Sequence, residues 1–319
     1  MFSFEEIRKA EERIRPYIVK TPLVRLVNLD PYLHCEVYAK LENLQLTGAF
    51  KLRGALNKIL SLSEEQLKKG VVCASSGNHG KALAYSAKKL GIPATVVIPT
   101  TAAPIKVEAI KALGAEVVQC DVTERFRVAE EVCAEKGAVL VPPYNDELVM
   151  AGQGTAGLEI AEQQPDLDAV IVPVSGGGLI GGVSEAIKNA APGMKVYGAE
   201  PAVLPRYSAS LAAGERVQVP AVKTVADALV SNMPGEKCFP VVRKNVDRVF
   251  DVAEEYVLKG MKLLLTEGKI FAEPSSCIGI GAVLQGLVPV EEGQKICFLI
   301  SGGSAALNQI RQLEDVELS

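Results

Sequence analysis

The chain has 319 residues, 48% of them hydrophobic and 23% charged, with a formal net charge of −4. This composition excludes a disordered or collagen-like chain, and the acidic balance offers no general attraction to nucleic acid or an anionic membrane. No run approaches the ~18 apolar residues that span a bilayer, and the start lacks a basic-then-apolar signal pattern, so a cytoplasmic protein with no membrane partner is expected.

Ser3 and Glu6 fit a capping box, followed by Ile7, Ala10 and Ile14 at helical spacing until Pro16 stops the helix. Residues 71–74 then read as a strand, 81–90 as a helix stopped by Gly91 and Pro93, and 94–98 as the next strand. A helix over 104–113 ended by Gly114 and a strand over 116–119 complete this stretch. Further on, 169–174, 195–199, 249–252 and 296–300 are strand candidates, with a helix over 253–267 among them. Such alternation predicts an α/β architecture of wound parallel sheets. The tight rhythm between 70 and 147 sets apart a small lobe, leaving 1–69 and 148–319 as a larger one.

Seven cysteines are scattered without a CxxC pair, and His34 and His79 are the two histidines of the chain. This pattern predicts neither a disulfide framework nor a Cys/His metal site. The thiols are expected as small buried hydrophobes.

Four segments stand out: Thr47-Gly48-Ala49-Phe50-Lys51, Ser75-Ser76-Gly77-Asn78-His79-Gly80, Ser175-Gly176-Gly177-Gly178-Leu179 and Ser301-Gly302-Gly303-Ser304. Each alone has a plainer use, as a tight turn, a solvated lysine or a helix N-cap. The third, however, follows an apolar run and leads into a helical pattern, which gathers backbone N–H groups at a helix start with no side chains in the way. That is a phosphate cradle. It lacks the ending of a nucleotide P-loop and the GxGxxG spacing, so a small phosphorylated cofactor fits better than ATP or NAD.

Together with Lys40-Leu41-Glu42-Asn43, these segments resemble the fold type II pyridoxal-phosphate enzymes, and within them the serine/threonine dehydratase and serine racemase family. The resemblance covers nearly the whole chain. It implies a two-lobed fold like that of the tryptophan synthase β chain, with a large cofactor-binding domain at 1–69 and 148–319 and a small mobile domain at 70–147. Pyridoxal 5′-phosphate is the implied cofactor, and Lys51 the residue that holds it covalently. Ser175, Gly176, Gly177, Gly178 and Leu179 would receive the phosphate, Phe50 would pack near the ring, Asn78 would meet the phenolic oxygen, and Ser301 would face the pyridine nitrogen. A hydroxyl at Ser301 favours elimination or racemisation over transamination. Glu273 matches a glutamate near the ring, although a solvated loop carboxylate is the alternative.

The family likeness also makes residues 75–79, at a helix start, a clamp for the substrate carboxylate, through Ser75, Ser76, Gly77, Asn78 and His79. Arg127 falls near an arginine that reaches this carboxylate in some racemases; a surface arginine is the other possibility. The implied activity is dehydration of L-threonine or L-serine to a 2-oxo acid and ammonia, with Lys51 taking the α-proton. Serine racemisation, with Ser76 as the base on the opposite face, is the alternative. Dehydration of another β-hydroxy amino acid such as 3-hydroxyaspartate, a β-replacement enzyme and a non-catalytic cofactor carrier rank behind. A homodimer is implied as the assembly. The racemase relatives bind a divalent cation through a glutamate matching Glu200, but Arg206 stands where they have an aspartate. No metal is therefore expected, and an ion pair of Glu200 with Arg206 is expected in its place.

Overall fold

Apolar, β-branched runs bounded by glycine and proline become the strands of two sheets in the computed structural model, which describes residues 2–75, 77–102 and 104–318. In chain order they are β1 Leu23–Arg25, β2 Glu36–Leu41, β3 Val71–Ala74, β4 Ala94–Pro99, β5 Glu116–Cys120, β6 Val139–Leu140, β7 Ala169–Pro173, β8 Lys195–Pro201, β9 Arg248–Val252 and β10 Lys295–Ile300. One sheet has the order β1-β2-β10-β7-β8-β9, parallel except for β1, and the other the order β5-β4-β3-β6, parallel throughout.

The central strands β7 and β10 of the larger sheet are covered on both faces, which is why they read as nearly unbroken apolar runs. Their side chains still alternate. Ile296, Phe298 and Ile300 of β10 enter the core beneath helices Glu254–Thr266 and Pro274–Leu284, while Cys297 and Leu299 enter the core on the opposite face, with Val183 and Ile187 of helix Gly178–Ala190. All seven cysteines are free, and five are buried, three of them, Cys35, Cys277 and Cys297, in these two cores.

Chain direction reverses once in each sheet. After β7 the chain proceeds outward through β8 and β9, then β10 returns to pair with the other edge of β7. In the smaller sheet β3 leads outward to β4 and β5, and β6 returns to the other edge of β3. A crevice opens at the carboxyl ends of parallel strands at such reversals. Segments 75–79 and 141–144 leave β3 and β6, and segments 174–178 and 301–304 leave β7 and β10, so all four start at these ends.

Two local expectations are corrected. Ser3 is the N-cap of helix Phe4–Ile14, but its side chain makes no cap hydrogen bond; its carbonyl accepts from Glu6 and Ile7 instead. The helix expected at 81–90 begins at Asn78, with Gly77 as N-cap. Gly80 lies inside this helix at a point of close approach, where a Cβ would lie 1.9 Å from the Ser75 carbonyl oxygen.

Beneath helix Lys51–Leu60 lies a buried group of charges that sequence patterning does not reveal. The Arg53 guanidinium meets Glu42 at 2.7 Å and Glu159 at 2.7 Å, and Lys40 meets Glu159 at 2.6 Å. Thr21 donates to Glu42 at 2.5 Å, and its carbonyl accepts from Lys40 at 2.7 Å. Two positive and two negative groups thus balance, with their polar atoms joined to one another. They tie the first turn of the Lys51 helix to β2 and to helix Glu147–Gln163.

Candidate active site

A cleft of about 370 Å³ lies where the carboxyl ends of the two sheets meet. Its floor is the loop after β7. Helix geometry leaves the first-turn N–H groups of Gly178–Ala190 without helical partners, and Gly176, Gly177 and Gly178 put no side chain of their own over them, with Tyr144 packed against Gly176 and Gly178. Gly177 has φ +98, and a Cβ there would sit 1.8 Å from the Tyr207 hydroxyl. The loop is held from outside: the Gly176 carbonyl accepts from the Gly235 amide at 2.9 Å and the Tyr207 hydroxyl at 3.1 Å, and Ser175 Oγ accepts from the Ser231 amide at 3.2 Å.

Lys51 is the first residue of its helix and reaches the cleft beside Phe50, with Nζ 4.9 Å from the ring centroid. It donates to the Pro143 carbonyl at 2.6 Å. Desolvation pulls the Lys51 pKa down to about 8, against the attraction of Cys238 and Glu273. About a tenth of the amine is therefore uncharged at pH 7, far more than for an ordinary lysine.

Ser301 follows β10, with Oγ 3.0 Å from Ser276 Oγ, while its carbonyl accepts from the Phe50 amide at 3.0 Å. Asn78 Nδ2 donates to both Glu273 oxygens, at 3.0 and 3.1 Å, and Asn78 Oδ1 accepts from Ser304 Oγ at 2.6 Å. Glu273 also accepts from the Ser304 amide at 3.1 Å. Asn78, from the helix after β3, is thereby joined to the loop after β10.

Of the residues singled out by sequence, Phe50, Lys51, Ser75, Gly77, Asn78, His79, Ser175, Gly176, Gly177, Gly178, Leu179, Glu273 and Ser301 line this one cleft. Ser76 lies outside the described residues. Arg127 does not reach the cleft: it sits on the outer face of helix Arg125–Lys136, side chain 58% exposed, paired with Glu124 and Glu131. Those two carboxylates, one turn away on either side, hold it there. His79 is nearly enclosed, and its Nε2–H donates to the Val141 carbonyl at 2.8 Å. Burial pulls its pKa down to about 3, so the ring is neutral.

The cleft also has lining that the sequence did not disclose: Tyr144, the loop 227–232, and Arg125 with Phe126. Tyr144 could have been found from the Pro142-Pro143-Tyr144-Asn145 run ahead of the helix capped by Asp146, which marks a fixed turn after β6. The other two carry no local signal. Glu200 and Arg206 form the expected ion pair, both fully buried, with Nε to Oε2 at 3.3 Å. Burial raises the Glu200 pKa to about 7 in spite of Arg206 and the Tyr207 and Ser208 amides. Arg206 also donates to the Val174 and Leu229 carbonyls at 3.3 and 3.0 Å, bracing the glycine loop against the wall opposite.

A side-chain-free cradle at a helix start, facing a desolvated lysine across a cleft at two chain reversals, defines a site for a phosphorylated aldehyde cofactor. The chain matches the family described as pyridoxal-phosphate dependent enzyme over residues 14–302, and it belongs to that family. It is 41% identical over 315 residues to the L-threonine ammonia-lyase of Thermotoga maritima, a match covering 98% of this chain and 78% of that protein. It is 37% identical over 315 residues to the L-threo-3-hydroxyaspartate ammonia-lyase of Saccharomyces cerevisiae, covering 98% and 96%. The solved structure of maize serine racemase matches with a TM-score of 0.93 at 39% identity, covering 98% of this chain and 96% of that one. The fold expected from sequence is the one found, and the cofactor is pyridoxal 5′-phosphate.

The lowered Lys51 pKa carries a kinetic consequence. A lysine captures an aldehyde through its neutral amine, so the capture rate of pyridoxal phosphate by the apoprotein should rise with pH and reach half its plateau near pH 8. An ordinary lysine would place that midpoint above 10. Stopped-flow absorbance across pH 6.5–9.5 measures it.

Proposed function

We propose that the chain eliminates the β-hydroxyl of L-threonine or L-serine, giving a 2-oxo acid and ammonia. The observation that supports this most is the placement of Lys51 Nζ in the same cleft as the glycine loop and Ser301. The first-turn amides of Gly178–Ala190 would hold the cofactor phosphate, and Lys51 would hold its carbonyl carbon. Ser301 would face the ring nitrogen; as a neutral hydroxyl already bonded to Ser276, it leaves that nitrogen largely unprotonated. Pyridoxal phosphate, when bound, supplies the electron sink that lets an α-proton leave.

The chain's own residues then do the rest. The helix start at Asn78, with Ser75 and Gly77 lining the cleft beside it, would take the substrate α-carboxylate on its free N–H groups. That fixes the α-carbon over Lys51. Its Nζ, with a pKa near 8, accepts the α-proton and can return one to the departing hydroxyl. Residues 70–147 act as the smaller, mobile domain in this reading, and the Asn78–Glu273–Ser304 contacts are where it closes on the large domain. A cytoplasmic homodimer completes the proposal.

Serine racemisation is the second reading, favoured by the serine at position 76, next to Gly77-Asn78-His79, and by the likeness to the maize racemase. Incubating the holoenzyme with L-threonine, L-serine and D-serine, and following 2-oxo acid and serine enantiomers together, separates the two. Oxo acid from the L-substrates, with elimination persisting in Ser76→Ala, supports the dehydratase. Rapid inversion of serine, abolished by Ser76→Ala, supports the racemase.

A further inference from the structure

Residues 143–145, between β6 and helix Glu147–Gln163, meet the lysine, the glycine loop and the 231–237 loop at once. The Pro143 carbonyl receives Lys51 Nζ. The Tyr144 ring lies against the glycine loop: a Cβ on Gly176 would fall 2.4 to 2.5 Å from three of its ring carbons, and one on Gly178 would fall 2.9 Å from its Cβ. Two of the glycines are thus required by this tyrosine, as Gly177 is by Tyr207. Asn145 has φ +55, and its Oδ1 accepts from the Lys237 amide at 2.8 Å. With the Pro143 ring fixing φ on one side and that bond pinning the other, the Tyr144 backbone has little room to swing.

The Tyr144 hydroxyl lies 3.1 Å from Ser231 Oγ. Ser231 gives its one hydroxyl proton to the Met233 carbonyl at 2.8 Å, so the tyrosine is the donor. The Ser231 amide in turn donates to Ser175 Oγ at the head of the glycine loop. Tyr144, Ser231 and Ser175 therefore join the end of the smaller sheet to the cradle on the larger one. Neither the proton transfer nor the carboxylate clamp draws on Tyr144, whose hydroxyl is committed to Ser231.

We propose that Tyr144 is the latch of the cofactor site. Its ring walls the phosphate cradle, and its hydrogen bond to Ser231 holds that wall shut, so the residue sets how fast pyridoxal phosphate is released. The latch rests on the seating of the phosphate on the Gly178–Ala190 amides given above. Tyr144 acts by position alone. Tyr144→Phe keeps the wall and loses the bond that fastens it.

Release is timed by the loss of imine absorbance during continuous diafiltration, for holoprotein loaded with pyridoxal phosphate or with pyridoxal, in the wild type, Tyr144→Phe, Ser231→Ala and the double variant. Tyr144→Phe should speed release of pyridoxal phosphate roughly 3- to 10-fold, the contribution of one hydrogen bond, with the Tm of the apoprotein unchanged. Ser231→Ala should do the same, and the double variant no more than either, because one bond links the two residues. Release of pyridoxal, which has no phosphate to hold, should be fast in the wild type and should not respond. Unchanged release of pyridoxal phosphate in Tyr144→Phe, or equal acceleration of both compounds, would overturn the latch and leave the phosphate seat standing. A wild type that releases both compounds at one rate would show that the loop does not hold the phosphate, and would overturn seat and latch together.

Discussion

Replacing Lys51 with alanine is expected to lower kcat/KM for elimination by roughly 10³-fold or more, while the protein stays folded. Lys51 supplies the amine that lines the cleft among the described residues. His79 is neutral, but its Nε2–H is committed to the Val141 carbonyl and burial holds its pKa near 3, which makes it a poor base. Arg125 has no acceptor. Glu273 is committed to Asn78 and Ser304. Added methylamine should restore part of the lost rate in Lys51→Ala, an effect that simple misfolding would not show. Retention of more than a tenth of the wild-type rate, in protein of unchanged Tm, would remove Lys51 from the proton transfer.

Arg53→Met should destabilise the apoprotein by about 3–5 kcal/mol, because it leaves the Glu42 and Glu159 carboxylates buried and uncompensated. Attraction within such a group barely exceeds the cost of taking its members out of water. Deleting one partner is therefore far more damaging than the group's net contribution would indicate. Its location gives it a further consequence: Arg53 is two residues beyond Lys51, so the buried ions hold the helix start that aims Nζ. Denaturant unfolding of the apoprotein should show the loss, and a change below about 1 kcal/mol would mean that the two glutamates find other partners or protonate.

The strands of both sheets were legible where runs such as 169–174 and 296–300 are apolar on both faces and are each followed by a Ser-Gly pair. β1, β2 and β6 were missed: β1 and β6 are three and two half-buried residues that make no pattern against their surroundings, and β2 interrupts its apolar residues with Glu36 and Lys40. The glycine loop, Lys51 and Ser301 were legible for a different reason. The glycine loop and Ser301 directly follow the end of a strand and Lys51 opens a helix, places where backbone geometry and residue type together limit what the segment can do. Arg125 was not. It and Arg127 are two residues apart on one helix, about 200° around its axis, and only the packing of that helix decides which of them faces the cleft. The Lys40–Glu42–Arg53–Glu159 group is assembled from separated segments of chain, so no local window contains it.

The central claim, that this cleft binds pyridoxal phosphate through Lys51, is tested most directly by reducing the cofactor-loaded protein with borohydride and mapping the modified peptide by mass spectrometry. The account predicts a single phosphopyridoxyl group on Lys51, and loss of the label in Lys51→Ala. A label on another lysine, with Lys51 unmodified, would contradict it.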